Sequence, residues 1–381
     1  EDSVILDAQQ TENLINCMSI DHSTISNLTL TGGLAEFGGG LYVYNSNLSL
    51  LNLTIAGNEA SIYGGGICIQ YAAPYLSNIT VSDNEAEKGG GIRIVYSSPT
   101  IMNCTIRDNY AYDDGGGMHL RGKVDIDVQL SGVQSMVPIF KNVQIINNVA
   151  GDGGGGIYNW EYSNPIFENV LIAKNYAPND GGGILNYYSC NPNFNNITIY
   201  GNETLTRGGG IFFSHASSAI ITNSILWNNI PEEIHFSVNN LDYPNEATLI
   251  NSALQGGVEG IVTNNNGTVV HGTGECLGED PSCGLAVTES DCMLLGDFFS
   301  CTWNPIIIEL ILIDSNPLFV DPENGDYTLQ TGSPCIDTGR ADLDGDGTDD
   351  ILDYCGFAPD MGAYEYCLGC LDATACNYDP E

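Results

Sequence analysis

A glycine triplet that returns at a nearly fixed interval constrains the fold of this chain more than any other feature. The triplets end at Gly40, Gly66, Gly91, Gly117, Gly156, Gly183 and Gly210, in steps of 26, 25, 26, 39, 27 and 27 residues. An aliphatic residue or Met follows each triplet. Such a period is typical of repeat proteins, in which each unit buries its apolar face only against its neighbours. The step of 39 residues holds one repeat plus an insert, which alignment places at about 121–136.

Two asparagine columns share this period. The first runs through Asn27, Asn52, Asn78, Asn103, Asn142, Asn169, Asn196 and Asn223, and the second through Gly33, Asn58, Asn84, Asn109, Asn148, Asn175, Asn202 and Asn229. Between the columns, apolar and polar residues alternate with the period of a strand, as in Asn78-Ile79-Thr80-Val81. We expect the first column to be buried. We expect a left-handed backbone in the second, because Gly replaces Asn there.

These patterns predict an all-β protein, a right-handed parallel β-helix of roughly nine to eleven coils. The coils would stack about 4.8 Å apart, and the asparagines would hydrogen-bond along the axis and satisfy backbone groups at the corners. Four segments are expected: an N-terminal cap or opening coil at 1–24, regular coils at 25–229, less regular coils at 230–366 with a Cys-rich insert at 271–304, and a Cys-rich tail at 367–381.

The repeat of Asn-x-Thr, Asn-x-Ala and Gly-Gly-Gly-Ile resembles the repeats of pectate-lyase-like proteins and of chlamydial polymorphic outer-membrane proteins. Residues 317–322, 333–337 and 361–366 are similar to the closing segment of many secreted bacterial β-helix proteins. Residues 367–381 resemble the start of a Cys-rich module found at the ends of large surface proteins. The resemblance implies a β-helix that is secreted or on the cell surface. It leaves activity open, since such proteins include lyases, hydrolases, adhesins and inert rods.

Charge and cysteine content narrow the partners and the compartment. With 48 Asp and Glu against 9 Lys and Arg, the net charge is −39, which disfavours nucleic acid as a partner. The sequence contains no run of 18 apolar residues, so it predicts no membrane-spanning helix. The 13 cysteines indicate disulfides and an oxidising compartment. The disulfide candidates are Cys276, Cys283, Cys292 and Cys301 in the insert, and Cys335 with Cys355 across an acidic loop. Cys68 is expected to point outward and to be the more reactive thiol.

The acidic loop at 342–353 has the spacing of a calcium loop. Its oxygen ligands at positions 1, 3, 5, 7, 9 and 12 would come from Asp342, Asp344, Asp346, Thr348, Asp350 and Asp353. Gly347 at position six permits the sharp turn. We therefore expect a structural Ca²⁺ ion, and the alternative is a solvated acidic turn. Among the Asn-x-Ser/Thr sequons, Asn47, Asn202 and Asn266 are the glycan candidates, since those of the first asparagine column are expected to be buried.

The strand after each triplet is expected to present a face to a ligand. Its outward aromatic residues, Tyr42, Tyr44, Tyr158, Trp160 and Tyr187, are candidates for stacking on sugar rings, although exposed tyrosines also suit strand faces. The weak catalytic candidates are Asp114, Asp152, Asp180 and Arg93. Paired carboxylates can hydrolyse a glycosidic bond, and clustered acids with a base suit a calcium-dependent lyase. Aspartate is also common in turns for structural reasons.

The sequence favours a non-catalytic extracellular structural or adhesive protein, with self-association or other surface proteins as its partners and glycans as a further ligand class. Open ends of a β-helix invite stacking on another subunit, so a fibre or rod subunit fits this interpretation. Two alternatives stay open. One is a carbohydrate-active β-helix enzyme, either a polysaccharide lyase or a glycoside hydrolase, and the other is a carbohydrate-binding module.

Overall fold

Three parallel β-sheets, joined by short turns, form the body of the molecule, and successive coils add successive strands to each sheet. The computed structural model describes residues 4–122, 137–238, 244–271, 273–277, 302–306, 312–343 and 347–367. The predicted parallel β-helix is confirmed, with about 10 coils. The insert expected at 121–136 lies almost wholly outside the described residues, as do most of the insert at 271–304 and the tail after residue 367.

We call the 14-stranded sheet the long sheet. Its strands are Val4–Asp7, Asp21–Thr31, Asn47–Ala56, Tyr75–Ser82, Thr100–Arg107, Ile139–Ile146, Ile166–Ala173, Asn193–Tyr200, Ser218–Thr222, Ile225–Trp227, Asn245–Ile250, Ser252–Leu254, Gly267–His271 and Leu312–Ile313. The nine-stranded sheet that follows the glycine triplets is the triplet sheet. Its strands are Ile15–Met18, Leu41–Tyr44, Ile67–Gln70, Ile92–Val95, Met118–Arg121, Ile157–Trp160, Ile184–Tyr187, Ile211–Ser214 and Ile234–Phe236.

A seven-stranded short sheet closes the cross-section. Its strands are Leu34–Phe37, Glu59–Tyr63, Glu85–Lys88, Tyr110–Ala111, Val149–Ala150, Tyr176–Ala177 and Glu203–Thr204. Two antiparallel pairs stand apart, Thr273–Leu277 with Thr302–Ile306 and Phe319–Asp321 with Asp326–Leu329. Among the described residues the only helical turn is the 3₁₀ turn Val258–Gly260, and none of their helices is long and apolar enough to cross a bilayer.

The glycine triplets lie in one file, as the sequence predicted. The Gly66 N–H donates to the Gly91 carbonyl at 3.0 Å, and the Gly91 N–H donates to the Gly116 carbonyl at 3.1 Å. Glycine is required because the next coil is so close: a Cβ atom on Gly90 would lie 2.3 Å from the Tyr110 carbonyl oxygen. The triplets therefore let neighbouring corners approach to hydrogen-bonding distance.

The interior is filled by columns of apolar side chains that repeat from coil to coil. Ile67, Ile92 and Met118 are paired neighbours in the triplet sheet and are almost completely buried. From the long sheet, Phe167 stacks between Phe140 and Phe194, with ring centroids 4.8 and 5.2 Å away. This contact between equivalent side chains explains why a single coil cannot be stable without its neighbours.

Asn196 and Asn223 of the first asparagine column are buried as expected. At the other positions the structure reverses the roles that the sequence assigned to the two columns. Asn27, Asn52, Asn78 and Asn103 of the first column are exposed, and their φ angles of 52 to 57° place them in the left-handed region. The second column is instead buried and is not left-handed. The left-handed residue at that corner is the one just before it: Gly32, Gly57, Asp83, Asp108, Asn147, Lys174, Gly201 and Asn228.

The buried second column forms a continuous ladder of side-chain hydrogen bonds. The Asn84 amide nitrogen donates to Asn109 Oδ1 at 3.0 Å, and that of Asn109 donates to Asn148 Oδ1 at 2.9 Å. At its C-terminal end, Asn229 donates its backbone N–H to Glu233 Oε1 at 3.1 Å and its side-chain amide to Glu233 Oε2. The ladder thus ends on a carboxylate.

Residues 317–343 and 347–366, which we call the strap, do not continue the coils, although irregular coils were expected throughout 230–366. Leu312–Ile313 is the last strand that pairs with a coil. The strap then folds back over the outer face of the long sheet. There Phe319, Tyr327 and Met361 pack against outward residues such as Leu171 and Tyr200. Apolar outward residues of the later coils are therefore covered by the chain itself.

One predicted cysteine pairing is wrong. Cys355 forms a disulfide with Cys367, whereas Cys335 is a free, buried thiol. Cys335 packs with Phe319 and Met361 in the apolar cluster of the strap. A cysteine without a disulfide suits this position because a free thiol behaves as a small apolar side chain. The pairing of Cys276, Cys283, Cys292 and Cys301 lies outside what the structure describes.

Candidate functional site

The outer face of the triplet sheet is less accessible than the sequence predicted. Alternation along the strands predicts one outward row through Tyr42, Cys68, Arg93, His119, Tyr158, Leu185 and Phe212. Five of these seven residues are at most 6% exposed: Cys68, Arg93, His119, Leu185 and Phe212. Only Tyr42 and Tyr158 of this row are partly exposed. Burial raises the pKa of the Cys68 thiol to about 12, so the expectation that Cys68 is the reactive, outward thiol is wrong.

Arg93 and His119 are buried because side chains from neighbouring coils pack over them. The Arg93 guanidinium carbon lies 5.2 Å from the centre of the Tyr63 ring, and the guanidinium contacts His119 Nδ1 and donates to the His119 carbonyl oxygen at 3.1 Å. Burial lowers the pKa of Arg93 to about 10. Burial, together with the Arg93 charge, holds the pKa of His119 well below its usual range. Arg93 therefore has no direct access to a solvent-borne substrate.

Three carboxylates and one lysine meet beside this row, in the turns before the triplets. Asp113, Asp114 and Asp152 each place an oxygen within 4.8 Å of the others. The Lys88 ammonium lies 2.6 Å from Asp113 and 2.9 Å from Asp114. Burial by itself lowers the pKa of Lys88, but the bonds to both aspartates raise it overall. Lys88 thus supplies one positive charge to two of the three carboxylates.

The other catalytic candidates are also engaged with neighbours. Arg207 binds both carboxylate oxygens of Asp180, at 2.8 Å each, in a bidentate pair. Asp152 accepts a hydrogen bond from the Asn179 side chain. Burial raises the pKa of Asp114, and Lys88 opposes that shift. Asp114 and Asp152 are brought together, while Asp180 is held in a separate ion pair.

The sequence analysis missed a row of tyrosines just after the strands of the triplet sheet. Tyr71, Tyr96, Tyr162 and Tyr188 have φ angles of 53, 48, 59 and 72°, in the left-handed region that bulky residues avoid. Tyr71 is 49% exposed and Tyr188 is 45% exposed. The available signal was their near-constant offset after each triplet: Tyr71, Tyr96 and Tyr188 each come five residues after the last glycine.

These tyrosines join the predicted aromatic residues in one continuous surface, which we call the aromatic strip. Its members are Tyr42, Tyr44, Tyr71, Tyr96, Arg121, Tyr158, Trp160, Tyr162, Tyr187, Tyr188 and His215. The Tyr71 ring centre lies 5.7 Å from that of Tyr44 and 5.5 Å from that of Tyr96. The Arg121 guanidinium carbon lies 5.3 Å from the centre of the Tyr96 ring and 4.4 Å from that of Trp160. The strip crosses the coils along the axis of the rod.

The predicted calcium and glycan positions fare differently. Asp344 and Asp346 lie outside the described residues, so the calcium loop stays a prediction; next to them, the Gly347 N–H donates to Asp342 Oδ2 at 3.0 Å. Asn47 is exposed, as a glycan acceptor must be. Asn202 and Asn266 are 0% and 2% exposed, which contradicts their selection as acceptors. Asn202 is instead a member of the buried ladder.

Comparisons with known proteins gave a family match over part of the chain and distant structural likenesses. The family model described as a right handed beta helix region matches residues 5–131. No curated protein matches the sequence. The chain is similar to the crystal structure of pectate lyase Pel9A, with 13% identity over 95% of this chain and 85% of that one, and a TM-score of 0.39. It is also similar to the crystal structure of a TibC-catalyzed hyper-glycosylated TibA fragment, with 14% identity, coverages of 71% and 96%, and a TM-score of 0.19.

Both structural likenesses are too distant to assign a site or an activity. The family match covers the first coils, and the sheet pairing described above carries the same architecture through the later ones. The chain is a right-handed parallel β-helix repeat protein.

Proposed function

We propose that this protein is a non-catalytic extracellular adhesin that binds linear carbohydrate along its aromatic strip. The observation that carries the proposal is the row of left-handed tyrosines. A bulky residue in this conformation costs about 1–3 kcal/mol, and such strain is concentrated at functional sites. The equivalent position in an earlier coil is Asn45, at φ 45°. The fold therefore accommodates at this position a residue with a lower conformational strain than tyrosine. The tyrosines are better explained by what they contact outside the molecule.

The spacing of the strip favours a linear glycan as the ligand. Coils repeat about every 4.8 Å, close to the length of one sugar unit in an extended chain, so successive rings can meet successive aromatic side chains. An aromatic ring offers a sugar its apolar face, while Tyr hydroxyl groups and Arg121 supply polar contacts around it. The strip runs over several coils, which suits a polymer more than a monosaccharide.

The state of the acidic and basic groups favours binding without turnover. A general base must be unprotonated and within reach of the substrate. Lys88 has a raised pKa and holds two aspartates, Arg93 is buried, and Asp180 is neutralised by Arg207. The partners that occupy these groups support the adhesive function over the enzymatic one.

Binding to insoluble polysaccharides tests the proposal. We expect the protein to be retained by at least one of cellulose, chitin, xylan and pectin. The double variant Tyr71→Ala, Tyr188→Ala should weaken retention about tenfold or more, since each aromatic contact contributes about 1 kcal/mol. The matched control is Tyr75→Ala, because Tyr75 is 40% exposed but lies on the long sheet. Its retention should equal that of the parent protein.

Two results would contradict the proposal. Absence of retention on every polysaccharide would remove the adhesive function of the strip. Release of unsaturated or reducing sugar ends, abolished by Asp114→Asn, would show that the enzymatic alternative is correct.

A further inference from the structure

A concave surface distinct from the aromatic strip lies at the outer face of the long sheet. A groove of about 1180 Å³ opens between the outer face of the long sheet and the strap. One wall is formed by Asn103, Asn142 and Asn169 of the exposed asparagine column, and the other includes Asp350, Tyr364 and Glu365 of the strap. We call it the strap groove. Its volume is slightly above the roughly 300–1,000 Å³ that is typical of small-molecule sites, which leaves room for a larger ligand.

The asparagine column already holds backbone at the positions next to this groove. The Asn223 side chain donates to the Arg340 carbonyl at 2.8 Å and accepts the Arg340 N–H at 2.7 Å. One coil away, the Asn196 side chain donates to the Asp360 carbonyl at 3.1 Å. Each of these amides therefore binds one segment of the strap that crosses the column.

The next amides of the same column face the strap groove. Asn169, Asn142 and Asn103 have the same left-handed backbone, with φ of 52 to 53°. Asn169 donates to Asn142 at 3.2 Å and Asn142 donates to Asn103 at 3.1 Å. A side-chain amide has two hydrogens and two lone pairs, so each retains capacity for a further partner. No backbone group of the described chain pairs with these three side chains.

A buried acceptor beside the same groove also lacks a hydrogen-bond partner in the described part of the chain. Asn195 lines the groove, and its Oδ1 atom is buried without a hydrogen-bond partner among the described residues. Leaving such an atom unsatisfied is unfavourable, and a bound N–H group would relieve the cost.

We propose that the strap groove binds an extended, basic polypeptide segment of another protein, which lies across the asparagine column beside residues 360–365. Its backbone would pair with the Asn169 and Asn142 side chains as the strap pairs with Asn196 and Asn223. The charge argues against a second copy of this chain, which has 48 acidic residues and 9 Lys and Arg. Lys141 at the rim is paired with Glu168 at 2.5 Å, and the carboxylates of Asp350 and Asp353 add negative charge to the groove.

Fluorescence anisotropy with a short labelled peptide of alternating lysine and threonine tests this inference. The full chain should bind it, and the double variant Asn142→Gly, Asn169→Gly should weaken binding about tenfold or more, because two hydrogen-bonding amides are lost. Glycine accepts the left-handed backbone, so these substitutions keep the fold. Asn52→Gly is the matched control, since Asn52 is exposed in the same column with φ 54° but lies outside the groove.

A peptide of the same charge with N-methylated backbone separates hydrogen bonding from charge attraction. It should bind at least about tenfold more weakly than its unmodified counterpart. Equal binding of the two peptides, or equal weakening by Asn52→Gly and by the double variant, would reduce the interaction to net charge and overturn the proposal. Displacement of the peptide by neutral oligosaccharides, with loss of sugar binding in the double variant, would also overturn it in favour of a glycan groove. Neither outcome involves Tyr71 or Tyr188, so the proposed adhesive function is tested separately.

Discussion

Asn109, a member of the buried ladder, uses all of its side-chain hydrogen-bonding capacity. The Asn109 side-chain nitrogen donates to the Val81 carbonyl at 3.0 Å and to Asn148 Oδ1 at 2.9 Å. Its Oδ1 accepts the Asn84 backbone N–H at 3.1 Å and the Asn84 amide at 3.0 Å. One side chain thus satisfies backbone groups that the corner would otherwise bury unpaired.

Removal of this side chain should therefore be costly. For Asn109→Ala we expect a loss of about 3 kcal/mol or more in the free energy of unfolding, because several buried polar groups lose partners at about 1–3 kcal/mol each. Chemical denaturation of the variant and the parent protein measures the difference. Asn78→Gly is the control, since that exposed Asn keeps its left-handed backbone as glycine. Equal losses in the two variants would contradict the role of the ladder.

The sequence predicted that both asparagine columns were structural but could not tell which was buried. Asparagine suits a left-handed corner and a hydrogen-bonded ladder for different reasons, so its presence alone does not separate them. The better signal was the position before the second column, where Gly57, Asp83, Asp108 and Asn147 mark the left-handed corner. The same error removed exposed sequons such as Asn52 and Asn78 from the glycan candidates and kept the buried Asn202.

At the scale of the elements, the strap is held by buried carboxyl groups as well as by apolar contacts. The Asp360 N–H donates to Glu365 at 3.0 Å, and Asp360 accepts the backbone N–H groups of Asp337 and Tyr366 at 2.7 and 2.6 Å. Burial, followed by the Asp360 charge, raises the pKa of Glu365 to about 8, and burial raises the pKa of Asp360 to about 6. The ionised forms of both acids are disfavoured in the folded strap.

The strap should therefore loosen as pH rises. A carboxyl group whose pKa is raised on folding binds its proton more tightly in the folded state, so its contribution is full below the unfolded pKa and is lost as pH rises through the folded value. Between about pH 5 and pH 8.5, we expect proteolysis within the strap to become faster. The variant Glu365→Gln, which stays uncharged, should show a weaker dependence. A parent protein whose strap is cut at the same rate throughout this range would contradict the expectation.

The sequence predicted the strands and their order but not which outward side chains are covered. Alternation correctly placed Arg93 and His119 on the outer face of the triplet sheet. Their burial arises from contacts across coils, such as Arg93 with Tyr63 and His119 with Trp160. The return of the strap over Tyr200 is likewise a contact between residues far apart in the chain. Neither the contacts across coils nor the return of the strap produces a periodic pattern in the sequence.

For the whole molecule, the first edge of the long sheet combines exposed apolar side chains with a strand that has a described partner on one side only. Val4–Asp7 lies at the edge of the long sheet, and within it Val4 is 61% and Ile5 is 65% exposed. Such an edge favours pairing with another strand, while the net charge of −39 keeps copies apart.

Added salt should therefore promote self-association of this 381-residue chain, because it screens the repulsion between copies and leaves the edge unchanged. Sedimentation velocity at low and high ionic strength measures the effect. Ile5→Lys should suppress association by placing a charge on the edge. Leu352→Lys is the control, as Leu352 is 79% exposed in the strap. A chain that stays monomeric at high salt would contradict the prediction.

The ending of the buried ladder on Glu233 has an electrical consequence. Every amide from Asn58 to Asn229 donates toward the later coils, so the group dipoles point the same way and add up along the rod. The positive pole of this array falls at Asn229, where the Glu233 carboxylate receives its last two donors, much as an acidic residue does at the start of an α-helix. A rod lengthened by further coils would still need an acceptor for two donors at that pole, wherever its last asparagine came to lie.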